Sequence, residues 1–202
     1  DNEDAPFKRV ITTSFKESLS PFVFTEDNLK LYAMSNLGRD KSALVIFNPK
    51  TGQEEKFLYE NSSYDISGIA YSKKEKDLKG VSYMAHDGLK RYFFDEDWKN
   101  MFSKIEKRVN NTPFGLVDIT KDEDKMIVVA YSDKSPGNYY LYDVKTDSLT
   151  HIDNIYPWLK EENMAAMNCV NYNSRDGLEI EAYLTLPKGY TVESAKNLPV
   201  VI

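Results

Sequence analysis

The chain has 202 residues, 41% hydrophobic and 29% charged, enough for one large domain or for one domain and part of another. Its net charge of −6 argues against a nucleic-acid surface, and no apolar run approaches the roughly 20 residues that a membrane helix needs. Aromatics reach 13%, with 14 Tyr and 10 Phe, which favours strands, where rings fit a pleated, half-buried surface.

The chain opens Asp1-Asn2-Glu3-Asp4, without initiator methionine or signal peptide, as a processed form or an excised piece would. Residues 7 to 13, Phe7-Lys8-Arg9-Val10-Ile11-Thr12-Thr13, read as the last strand of a preceding unit. Four short strands follow: Pro21–Phe24, Lys30–Met34, Ala43–Phe47 and Glu55–Tyr59. Turn chemistry separates them at Glu26-Asp27-Asn28, Asn36-Leu37-Gly38 and Asn48-Pro49-Lys50-Thr51-Gly52. A second unit places strands at Ile69–Ser72, Gly80–Met84 and Lys90–Asp95, with Asp87-Gly88 as a hairpin signal. Trp98, Met101, Phe102 and Ile105 then fall at helical spacing, so a short amphipathic helix takes the place of an outer strand.

The third unit repeats the first. Thr25-Glu26-Asp27-Asn28-Leu29-Lys30 is echoed by Thr120-Lys121-Asp122-Glu123-Asp124-Lys125, and Val45–Gly52 by Tyr140–Asp147. The offset is 95 residues in both cases, two periods of about 47. Four strands per period is the signature of a β-propeller blade; a β-sandwich with two similar halves is the competing reading. The expected fold is all-β, a partial propeller of about three four-stranded antiparallel blades. The expected divisions are 1–14 (last strand of a preceding blade), 15–62, 63–112 with the helical insertion, and 113–155, then a linker over 156–168 and first strands of another domain over 169–202. Known propellers use about four to eight blades, so three leave open strand edges, which invite self-association.

The tail raises a different expectation. Two strand-like runs flank Asp176-Gly177, and Leu198-Pro199-Val200-Val201-Ile202 reads as the start of a buried strand. The run Tyr172-Asn173-Ser174-Arg175-Asp176-Gly177-Leu178-Glu179-Ile180, with Ala182–Gly189 and Asn197–Val201, resembles the junction between propeller and catalytic domain in the prolyl oligopeptidase family of serine peptidases. Phe24–Asp27, Ser35–Leu44 and Pro136–Asp143 resemble the propeller of its acylaminoacyl-peptidase and dipeptidyl-aminopeptidase branch. The resemblance implies an α/β-hydrolase domain after the propeller, a peptide substrate and a Ser-Asp-His triad. None of the nine glycines brackets a serine as Gly-x-Ser-x-Gly, so no catalytic residue carries over. The resemblance gives Arg175, Asp176 and Gly177 a structural role at the domain junction: Asp176-Gly177 makes the hairpin turn, and Arg175 pairs with a carboxylate across the interface.

Other candidates read as scaffold. His86 and His151, the two histidines, fall in a turn and an outer strand. Glu161-Glu162 lies in the linker, where the amine-binding Glu pair of dipeptidyl-peptidase relatives has no counterpart, and Glu54-Glu55 opens an outer strand. Asp95-Glu96-Asp97 and Asp122-Glu123-Asp124 lack the spacing of a calcium loop, and no cofactor or metal is expected. Cys169 is expected to be a small buried residue. Asn61-Ser62-Ser63 and Asn110-Asn111-Thr112 match the glycosylation pattern, which is common by chance. The expected function is a non-catalytic, substrate-gating propeller fragment of a serine peptidase of short peptides, with the missing hydrolase domain as its partner. The alternative is a free-standing propeller that binds a protein or ligand.

Overall fold

The computed structural model describes residues 6–201 and is built from four antiparallel sheets. The chain divides into two compact units, one up to Trp98 and one from Lys99.

The first unit opens with β1 (Leu19–Phe24), β2 (Leu31–Ser35), β3 (Ala43–Asn48) and β4 (Gln53–Tyr59), paired in chain order as a meander. Strand β3 is the continuous apolar run Ala-Leu-Val-Ile-Phe, and it is buried on both faces. Ala43, Val45 and Phe47 pack with Ala33 on one side, against Ile11, Leu19 and Leu31. Leu44 points the other way, into a second cluster with Ile66, Leu78 and Val81 of the next sheet. Full burial of each such Val, Leu or Phe stabilises by roughly 1.5–3 kcal/mol, which is what holds sheet on sheet. The second sheet is β5 (Ile66–Ser72), β6 (Asp77–Ala85) and β7 (Gly88–Phe93).

After β7 comes α1 (Glu96–Arg108) in place of a fourth strand. The Trp98 N–H donates to Asp95 Oδ1 at 2.9 Å, Glu96 and Asp97 lie in the first turn, and Lys107 and Arg108 in the last. This charge order suits the helix dipole. Asn110 and Asn111 close the helix in left-handed conformations, with φ of 54° and 59°.

In the second unit Phe102 and Ile105 of the helix and Val109 just beyond it are buried, and the Phe102 ring stacks on Phe114 at 5.7 Å. The third sheet is again a four-stranded meander: β8 (Phe114–Ile119), β9 (Lys125–Ala130), β10 (Asn138–Asp143) and β11 (Ser148–Asn154). A 3₁₀ turn at Glu161–Asn163 leads to the hairpin β12 (Met167–Asn173) and β13 (Glu179–Thr185). The fold is that of a partial β-propeller with a short appended hairpin.

Two expected strands do not form. Residues 6–14 have no ladder partner; Ile11 instead packs on the first core cluster, and the Val10 carbonyl lies against Gly52. Residues 198–201 also form no strand, and Val200 and Val201 are exposed; Ile202, like residues 1–5, lies outside the described residues. Both runs have apolar strand formers, but a strand needs a neighbour to receive its backbone hydrogen bonds, and none is placed beside them among the described residues.

Candidate functional site

The chemistry-bearing residues singled out by sequence are scattered. His86 sits exposed in the β6–β7 turn, its Nδ1 2.9 Å from the Tyr64 hydroxyl. His151 is exposed on β11, with Nε2 2.6 Å from Asn154 Oδ1 and its ring edge-on to Tyr140. Neither meets a serine among the described residues, so neither has the nucleophile–base geometry of acyl transfer. Glu54 pairs with Arg39, whose guanidinium also lies 4.5 Å from the centre of the Phe57 ring. Glu55 turns away, to Lys30 at 2.5 Å and Asn48 at 2.6 Å. The acidic triplets do structural work: Asp95 caps α1, and Asp124 accepts from Thr120 and Lys145, each at 2.8 Å. Among the described residues no three His, Cys, Asp or Glu side chains cluster closely enough to hold a metal ion, and no helix is long and apolar enough to cross a membrane.

One arrangement has no forewarning in the sequence. Lys79 is only 3% exposed, and its ammonium is held by Glu75, by Asp95 at 2.9 Å and by Asp77 at 3.4 Å. Burial pushes the ammonium down, but the hydrogen bonds to Glu75 and Asp95 outweigh it and hold it above its ordinary value. The Trp98 N–H and the Lys79 ammonium together hold the Asp95 carboxyl below its usual range. Lys79 is the extra residue of a bulge in β6: Ala70 pairs with Gly80 and Tyr71 with Leu78, so Lys79 is left unpaired in that ladder. A lysine among Lys73, Lys74 and Lys76 gives no sequence signal of burial.

The junction after the last blade is the best-formed candidate. The Met167 N–H donates at 2.7 Å to Asp133 of the β9–β10 loop, which fixes the start of β12. The Lys188 ammonium, beyond β13, donates to the Glu162 carbonyl in the 3₁₀ turn. Between them lies an open cavity of about 510 Å³, lined among others by Lys134, Glu161, Glu162, Met164, Lys188 and Tyr190. Both signs of charge line it, and Glu161 and Glu162 are exposed there.

The hairpin turn has Ser174 N–H donating to the Leu178 carbonyl at 2.8 Å and Gly177 N–H to the Ser174 carbonyl at 3.0 Å. Gly177 has φ of +86°, which glycine alone adopts without strain. Asp176 accepts from the Ser174 hydroxyl and from the Leu178 N–H, and these bonds hold its carboxyl below the usual range. Arg175 is exposed, with no ion pair among the described residues. Cys169 is exposed on β12 rather than buried, because a two-stranded hairpin covers only part of its own side chains.

No family model matches the chain. It is 29% identical over 192 residues to dipeptidyl aminopeptidase BIII of Pseudoxanthomonas mexicana, covering 92% of this chain and 26% of that protein. It is 24% identical over 182 residues to dipeptidyl peptidase family member 6 of Caenorhabditis elegans, covering 89% of this chain and 24% of that one. Among solved structures it matches apo prolyl oligopeptidase B from Galerina marginata with a TM-score of 0.54 at 11% identity, over 95% of this chain and 27% of the other. A prolyl endopeptidase structure matches with a TM-score of 0.53 at 13% identity, over 87% and 25%. These structures speak for the fold, and the chain spans about a quarter of the length of each relative.

Proposed function

From the kinship of this chain with peptidases of the prolyl oligopeptidase family, we propose that it is the non-catalytic propeller part of such an enzyme, followed by the first hairpin of its hydrolase domain. The parent would hydrolyse short peptides by acyl transfer through a serine, and the blades would restrict which substrates reach it. The observation that supports this most is the order of parts: blades, a short linker, and then a hairpin turning at Ser174-Arg175-Asp176-Gly177. In this reading blades run over 15–62, 63–112 and 113–155, residues 156–168 are the linker, and 169–202 open the catalytic domain. Arg175, Asp176 and Gly177 shape the junction and take no part in bond cleavage. The partners are the hydrolase domain and, through it, a peptide.

Two measurements test this. The 202-residue chain, treated with a fluorophosphonate probe, is expected to take no label, because it holds no activated serine; labelling would overturn the non-catalytic reading. The coding sequence beyond Ile202 is expected to continue to a Gly-x-Ser-x-Gly elbow. A stop codon there would turn the reading to a free-standing propeller that binds a protein or ligand.

A further inference from the structure

Edges of β-sheets expose unpaired N–H and C=O groups, and proteins blunt them with bulges, charges or proline. The blades of this chain follow that rule strand by strand. On β1 the pairing skips Phe22, beside Pro21. On β4 it skips Glu55 and Leu58, and on β5 it skips Ser67. On β8 it skips Val117, and on β11 Ile152. Strand β7 pairs without a shift but carries Lys90 and Arg91.

The hairpin is different. Its seven residue pairs, from Met167 opposite Thr185 to Asn173 opposite Glu179, run with no shift. Both of its strands are edges. Strand β13 carries Glu179 and Glu181, whereas β12, Met-Asn-Cys-Val-Asn-Tyr-Asn, has no charge, no proline and no bulge. A two-stranded hairpin alone is marginal in water, and a third strand relieves it.

We infer that the β12 edge pairs with β12 of a second copy of this chain, antiparallel about a two-fold axis at Val170. The register follows from the sequence. Val170 faces its own copy, Cys169 faces Asn171 and Asn168 faces Tyr172; the pairing stops short of Met167, whose N–H is already bonded to Asp133. No charged side chains oppose each other, which a self-complementary edge requires because both partners present the same residues. Residues directly opposite share a face, so Val170 and Tyr172 of both copies extend the face that holds Ile180, Ala182 and Leu184, the half-buried side of the hairpin. The same pairing through β13 would bring Glu181 of each copy to diagonal positions. The association therefore belongs to the hairpin and not to the bulged blade edges. It does not depend on the peptidase reading.

Cys169, the one cysteine of the chain and an exposed one, reports the pairing directly. In this register the two Cys169 residues are diagonal neighbours, about 7–8 Å apart. Sedimentation of the 202-residue chain is expected to show a dimer, and a short bismaleimide to join two chains through Cys169. Asn171→Lys adds a charge to the β12 edge while facing Glu181 across the hairpin, so the hairpin survives. It is expected to weaken the dimer at least tenfold and abolish the cross-link. Thr150→Lys on the bulged edge β11 is expected to change neither. A monomer at all concentrations would overturn the inference, as would a dimer that resists Asn171→Lys or does not cross-link at Cys169.

Discussion

The turn from Asn48 to Gly52 in the first blade and the turn from Asp143 to Asp147 in the last lie 95 residues apart and share a backbone, yet they end on different residues. Asn48 Oδ1 accepts from Thr51 N–H at 3.4 Å, and Asp143 Oδ1 from the equivalent Thr146 N–H at 3.0 Å. Gly52 and Asp147 are both left-handed, with φ of 70° and 51°. Glycine has a reason in the first: a Cβ there would lie 2.9 Å from the Val10 carbonyl. Aspartate has a reason in the last: its carboxylate receives the Arg108 guanidinium, at 2.9 and 3.1 Å, and the Tyr142 hydroxyl at 2.8 Å. The buried ring follows suit. Phe47, 2% exposed, has no hydroxyl to satisfy, whereas Tyr142, 1% exposed and at the equivalent position, has one and a partner for it. One scaffold thus carries two solutions, each set by what packs on the turn.

Phe47→Ala removes the shared element, the buried ring, and is expected to cost about 3–5 kcal/mol in urea unfolding. Phe47→Tyr probes the difference: with Gly52 offering no acceptor, the buried hydroxyl is expected to cost about 1–3 kcal/mol, and the reverse change Tyr142→Phe about 0.5–1.5 kcal/mol. Equal costs in the two directions would mean that Asp147 does not decide the ring.

Acid separates the two turns next. Asp147 is held down to about 2 by Arg108 and then Tyr142. A folded value below the unfolded one of about 3.9 stabilises above that pH and is lost as pH falls. Asp147→Asn should therefore melt lower than the parent at pH 6, and the gap should close between about pH 4 and pH 2. A constant gap would assign the effect to shape rather than charge. The smallest effect lies in the paired turns at Asn28 and Glu123, left-handed with φ of 55° and 58°. Asparagine tolerates that conformation better than glutamate, so Glu123→Asn is expected to raise stability by about 0.5 kcal/mol, while Asn28→Gly changes little.

Much of this was legible in the sequence because it is local. Thr25 and Thr120 announce turns whose hydrogen bonds coincide: each backbone N–H donates at 2.9 Å to the carbonyl five residues on, at Lys30 and at Lys125. Trp98, Phe102 and Ile105 announce the buried stripe of α1, and Asp176-Gly177 the hairpin turn. What failed depended on partners distant in the chain. Residues 7–13 and 198–201 have strand-like residues but no neighbouring ladder among the described residues. The bulges were also hidden, since skipping Phe22 or Lys79 is a property of two strands in register. Asp147 could have been found by reading the repeat for its differences: Phe47 with Gly52 against Tyr142 with Asp147 is a paired change.

Every sheet here pairs strands that follow one another along the chain. No ladder waits for a strand made much later, so the loops closed in forming each blade are short and their entropic cost is small. Low contact order of this kind favours fast folding. On a ribosome, which adds about 5–20 residues per second, a period of about 47 residues emerges in seconds, long compared with the microseconds in which a hairpin forms. The four strands of the first blade have thus had time to find one another before the last blade has been made.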